Sequence, residues 1–145
     1  ARVPHCGELL GPAGVQETLG SLRPDRLGHG VRSVEDPRVL DEVAEAGVAL
    51  EVCPGSNVAM GVYAGPAEVP LRELVRHGIP VALGADDPLL FGSRLVGQYA
   101  VARDALGFTD PDLAQLARDS IRASRAPDSI RLRALRDVDA WLAHA

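Results

Sequence analysis

The sequence predicts an α/β fold in which a parallel sheet of four short strands is covered by helices and then followed by helices alone. Three observations lead there. Through the first two-thirds of the 145 residues, short β-like runs alternate with stretches of helical periodicity. The runs at 48–53 and 79–83 are almost wholly apolar, as strands of a parallel sheet are. Beyond Pro88 the strand-like runs stop and only helical patterns remain.

Each element has its own signal. Residues 1–5 read as the stub of a first strand, broken at Gly7. Val15, Leu19 and Leu22 recur at helical spacing within 12–22, and Pro24 stops that helix. Residues 26–29 are a second strand closed by Gly30. Asp36 then caps a helix with Pro37 at its first position; Val39, Leu40, Val43 and Ala44 line its apolar face, and Gly47 ends it. Residues 48–53 form the third strand, bounded by Pro54-Gly55. A helix covers 71–75 and ends at Gly78, and 79–83 is the fourth strand, running into Gly84-Ala85-Asp86-Asp87-Pro88.

The last third holds a helix over 94–106 and a second from Asp110-Pro111 to about Ala123. Asp128 caps a third, with Ile130, Leu132, Leu135, Val138 and Leu142 at helical spacing. Trp141 and Leu142 make the tail apolar, so it is expected to dock on the body. No low-complexity linker divides the chain, and residues 1–145 read as a single unit.

Composition narrows the function. The net charge is −5, and the fifteen basic residues, all arginine, are scattered rather than gathered into a patch, which argues against nucleic-acid binding. No apolar run approaches the roughly 20 residues that cross a bilayer, so no membrane partner is expected. Cys6 and Cys53 form no CxxC motif, and both lie beside strand ends where a disulfide would distort the neighbourhood. A reducing, cytoplasmic setting suits them.

The chemistry collects at the C-terminal ends of the strands. His5-Cys6-Gly7-Glu8 follows the first, Gly28-His29-Gly30 the second, Ser56-Asn57 the third and Asp86-Asp87-Pro88 the fourth. In parallel βα architectures that edge carries catalytic groups. His5 and Asp86 are ordinary zinc ligands, and zinc lowers the pKa of a water from near 16 to about 7. Glu8 suits a general acid or base, His29 can position or polarise the attacking water, and Asp87 can hydrogen-bond a heterocycle. Gly7 allows close approach of a ligand. Taken singly, these residues have blander readings: Asp86-Asp87-Pro88 as a helix cap, Ser56-Asn57 as a turn, and His77 and His144 as exposed helix residues.

In series the four blocks resemble the adenosine deaminase family. His5-Cys6-Gly7-Glu8 is similar to its HAGE motif, and Arg26-Leu27-Gly28-His29-Gly30 to its R-[IL]-G-H-G strand. Residues 50–57, LEVCPGSN, are similar to L-E-x-C-P-x-S-N, and 78–88, GIPVALGADDP, to its last barrel strand, with Phe91-Gly92 following. The resemblance implies half of a TIM-type (β/α)₈ barrel, strands five to eight, with a C-terminal helical layer. It implies that His5 and Asp86 bind zinc, that Glu8 protonates the purine at N1, that His29 orients and deprotonates the attacking water, and that Asp87 hydrogen-bonds N7. Gly7 and Asp87 would then be substrate-binding residues. The implied reaction is hydrolytic deamination of adenosine, adenine or a related 6-aminopurine to the 6-oxo product and ammonia.

The departures are definite. The family's first-strand His-x-His pair, which supplies two further zinc ligands, is absent, and a barrel takes about 250 residues. Cys6 stands where alanine is usual, and Gly55 where threonine is common. The chain alone is therefore expected to be inactive and to need a partner, either the missing N-terminal half or a second copy of itself. The inner face of the half-barrel is expected to be apolar, with two open strand edges. A catalytically dead remnant that serves in binding or assembly is the alternative.

Overall fold

The computed structural model describes residues 1–145 and places four strands side by side in chain order, β1-β2-β3-β4, all parallel. These are β1 (His5–Cys6), β2 (Arg26–His29), β3 (Ala49–Val52) and β4 (Val81–Leu83). Each parallel step requires a crossover. The first two are α1 (Pro12–Leu22) and α2 (Pro37–Ala46); the third combines α3 (Pro54–Ala59) with α4 (Leu71–Arg76). After β4 come α5 (Pro88–Phe91), α6 (Leu95–Asp104), α7 (Asp110–Ala123) and α8 (Asp128–Leu142).

Local chemistry sets the helix ends. The Asp36 carboxylate accepts from the Arg38 amide to start α2, and Gly47, at φ 61°, ends it in the left-handed conformation. α7 starts at Asp110 as expected, capped by Thr109. Its hydroxyl accepts from the Asp112 amide, and the Asp112 side chain accepts in return from the Thr109 backbone. At α8 the cap is Pro127 rather than Asp128, whose carboxylate instead pairs with Arg131.

Leu27, Leu50, Val52, Val81 and Leu83 point from the sheet to the helix side, where they join Val15, Val39, Leu74 and Leu116 in a cluster of 19 buried residues. Full burial of a leucine such as Leu50 stabilises by about 1.5–3 kcal/mol.

The structure corrects several expectations. Prolines shorten two strands. β1 begins only at His5, because Pro4 has no N–H, although the Arg2 and Pro4 carbonyls still accept from Asp25 and Gly28. Pro80 likewise delays β4 to Val81, while its carbonyl accepts from Leu50. A 3₁₀ turn at Val31–Glu35 and the short helices α3 and α5 occupy stretches that carry no extended periodicity. The inner face of the sheet is not apolar: alternation leaves Arg26 and Glu51 there, paired at 2.6 Å, beside Gly28 and Ala82. The tail does pack, α8 lying on α7, but no residue of α8 is fully buried and Trp141 stays 45% exposed.

Candidate functional site

The C-terminal ends of the four strands meet around a cleft of about 380 Å³ lined by His5, Gly28, His29, Glu51, Cys53 and Asp86 among others. His5 closes β1, and its ring lies beside that of His29, centroids 5.3 Å apart. Gly28 makes that approach possible, since a Cβ there would come within 3.1 Å of the His5 ring. Gly7, buried at φ 63°, turns the chain after β1; a side chain on it would strike Val15.

His29, at the end of β2, is 3% exposed and is the hub. Its Nδ1 lies 3.3 Å from Glu8 Oε1, and its Nε2 lies 3.8 Å from Asp86 Oδ2. Both His29 and Asp86 hold left-handed backbone, at φ 66° and 57°. For a residue with a side chain that conformation costs roughly 1–2 kcal/mol. Histidine and aspartate tolerate it better than most, and strain of this kind concentrates where side chains must be aimed.

Asp87 does two jobs in sequence terms and one in the observed geometry. It caps α5, with Oδ1 accepting from the Leu89 and Leu90 amides at 2.9 Å. Both amides go to the same carboxylate oxygen.

Two side chains that the sequence places at strand ends without a role join the site. Cys53 Sγ, with one ligand atom each from His29 and Asp86, forms a triplet within 4.8 Å. Burial first, and then the Asp86 charge, push the Cys53 thiol up to about 12, so without a cation it stays protonated. Asn57, in α3, is fully buried and donates to Glu8 at 3.1 Å. Its signal was the Ser56-Asn57 pair directly after β3, which reads equally well as a turn. Ser56 does serve the turn, donating to the Cys53 carbonyl. His77 and His144 lie away from the cleft, in the turns just past the ends of α4 and α8 rather than on helices, His77 against Asp41 and His144 against the Ala140 carbonyl.

Gly55 also acquires a reason. The buried Gln98 of α6 accepts from the Gly55 amide at 2.8 Å, and a Cβ at 55 would meet Gln98 at 3.0 Å and Ser93 at 3.1 Å. A threonine there would collide with the residue that ties α6 to α3.

The donor set of the cleft is imidazole and carboxylate from His5, His29 and Asp86, with a thiol beside them, and such a mixture suits a zinc-type cation. An acid-base pair, Glu8 and His29, stands next to it. Together they can activate water and move protons on a bound heterocycle.

The chain as a whole is similar to known proteins. The adenosine deaminase family profile matches residues 1–141. A putative adenosine/adenine deaminase of Streptomyces coelicolor is 58% identical over 139 residues, 96% of this chain and 40% of that protein. An aminodeoxyfutalosine deaminase of the same organism is 43% identical over 145 residues, covering 97% and 38% respectively. The crystal structure of an adenine deaminase from Arthrobacter aurescens superposes with a TM-score of 0.93 at 34% identity, over 97% of this chain and 43% of that one. The chain thus spans about 40% of the length of the curated relatives it matches, and its α/β sheet corresponds to part of a (β/α)₈ barrel.

Proposed function

This chain belongs to the adenosine deaminase family, and on that footing we propose that it supplies the C-terminal part of a site for hydrolytic deamination of a 6-aminopurine. The family is metal-dependent. The observation that carries the reading is the convergence on His29, at the end of β2, of two groups from β1 and the turn after it, Glu8 at 3.3 Å and the His5 ring at 5.3 Å, and of Asp86 at 3.8 Å from the loop after β4. Loop packing alone gives no reason for four titratable groups to meet in one cleft.

His5 and Asp86 would hold a zinc ion, which when bound supplies the acidification of water that hydrolysis at neutral pH requires. The remaining ligands would come from residues outside this chain. Glu8 delivers a proton to the purine N1, which makes C6 electrophilic. His29 orients the attacking water and takes its proton. The C6–N bond then breaks, the amino group leaves as ammonia with the proton that His29 took, the hydroxyl proton at C6 passes back to Glu8, and the 6-oxo purine remains. Asp87, with one oxygen fixed by α5, offers the other to N7, and Gly7 leaves room for the base. The two free thiols, Cys6 and Cys53, fit a reducing compartment.

The test compares two proteins: the 145-residue chain, and the same chain joined to the N-terminal portion of the Streptomyces coelicolor relative. Each is assayed with zinc on adenosine, adenine and aminodeoxyfutalosine. The joined protein should deaminate at least one of them, and the short chain none. A joined protein that folds and binds zinc but turns over nothing would favour a catalytically dead remnant with a binding or assembly role.

A further inference from the structure

We propose that Asn57 is a positioning residue that sets Glu8 and His29 for proton transfer, an inference that rests on the deaminase reading for its kinetic consequence but not for its geometry. Asn57 is 0% exposed. Its Nδ2 lies 3.1 Å from Glu8 Oε1 and 3.3 Å from His29 Nδ1, and those two atoms are themselves 3.3 Å apart. The three polar atoms make a nearly equilateral triangle. Its Oδ1 is buried and has no hydrogen-bond partner.

The direction of the amide follows from counting. As placed, with Nδ1–H on His29, Oδ1 goes without a donor and the second Nδ2 hydrogen faces that N–H without an acceptor. Reversed, both hydrogens of Nδ2 would be buried without acceptors, and Oδ1 would face the carboxylate oxygen of Glu8. Nδ2 therefore donates to Glu8 Oε1. That bond has two results. A proton carried by Glu8 sits on Oε2, the oxygen not engaged by Asn57, so the acid is aimed by its neighbour. Oε1 remains a fixed acceptor facing His29, which turns the Nδ1–H of the ring towards it. The lone pair of Nε2 is then left on the Asp86 side, where a water proton can be taken.

The backbone of Asn57 already has a structural task, its carbonyl accepting from Val62 at 2.9 Å. That task needs no side-chain amide. A leucine would fill the same space without leaving Oδ1 unsatisfied, so packing does not account for the residue.

The first measurement uses the 145-residue chain itself, through the imidazole nitrogen resonances of neutral His29. The wild type should show the Nδ1–H form, and Asn57→Leu should shift the ring towards the Nε2–H form usual in water. A wild-type ring already in the Nε2–H form, or one that Asn57→Leu leaves unchanged, overturns the proposal. The second uses the joined protein. Asn57→Asp, which keeps the shape but removes the donor, should lower kcat by about 10- to 100-fold, in the range of general acid–base effects, with KM little changed. In a Glu8→Gln background the same substitution should cost less than about threefold, because a group acting through Glu8 has nothing left to position. Equal losses in both backgrounds would mean a merely structural role. If the joined wild type turns over no purine, the functional reading fails by itself, and the His29 resonances still decide the role of Asn57.

Discussion

His5 has its place because residue 28 is glycine. β2 presents no side chain at that position, and the imidazole lies against bare backbone, where an added Cβ would stand 3.1 Å from the ring. Gly28 has no left-handed backbone angle, so alanine there carries no conformational penalty of that sort. Gly28→Ala should accordingly leave the unfolding midpoint close to wild type while displacing His5. If His5 is a metal ligand, zinc affinity of the joined protein should fall by about 10- to 100-fold, as when a ligand's support is removed. Competition with a chromogenic chelator measures it, and unchanged affinity would remove His5 from the ligand set. Glycines of this kind were visible in the sequence as Gly7, Gly28 and Gly30, but which side chain each one accommodates was not. The same holds for His29 and Asp86: their identity was legible at once, whereas their left-handed backbone was not. Cys53 was legible only as a thiol at a strand end, and Asn57 only as half of a pair that reads equally well as a turn. The partners that give each a role come from other loops.

At the scale of elements, α7 links the outer layer to the strand that leads into Asp86, packing along β4. Its C-terminal end is tied inward by Arg26, which pairs with Glu51 and also donates to the Ala123 carbonyl at 2.6 Å. Its N-terminal end depends on the reciprocal bonds of Thr109 and Asp112. Thr109→Ala should cost about 0.5–2 kcal/mol of stability, read from chemical denaturation. The backbone N–H of Thr109, and then its hydroxyl, hold the Asp112 carboxyl below its ordinary value. A carboxyl lowered by folding stabilises above its unfolded pKa of about 3.9, and that contribution is lost as pH falls through the lowered folded value. Asp112→Asn should thus be less stable than wild type at neutral pH, with the gap closing below about pH 4. A gap that persists in acid would mean that packing, not the charge, is at stake. Strand and helix identities in this chain were legible from apolar runs and from Asp36, Pro37 and Gly47. Boundaries moved where a proline withheld an N–H, as at Pro4 and Pro80, and where the cap fell one residue upstream of the expected one, as at Pro127.

For the whole molecule, the determining fact is that β1 and β4 each pair on one side only. The sheet follows chain order without closing, and its two ends present unpaired backbone groups, a template for another strand. The inner face strengthens the case for a specific neighbour over indiscriminate clustering, because it carries the Arg26–Glu51 pair and the His5–His29 cleft rather than a greasy surface. Apolar exposure lies off the sheet's inner face, in the segments after β1 and β4 at Leu9, Leu10, Leu89 and Leu90, and at Val96 and Trp141 beside the α6–α7–α8 groove. Two surfaces of different character predict two behaviours. The 145-residue chain should self-associate as concentration rises, seen in sedimentation velocity as a growing fast component. The joined protein, whose added strands can pair with β1 and β4, should lose the association that depends on strand edges. If Trp141→Ser abolishes self-association of the short chain, the helical groove rather than the open sheet is the sticking surface. If the short chain stays monomeric at high concentration, the edges are protected by the shortness of β1 and β4, two and three residues long, which is one of the ways proteins blunt an exposed strand.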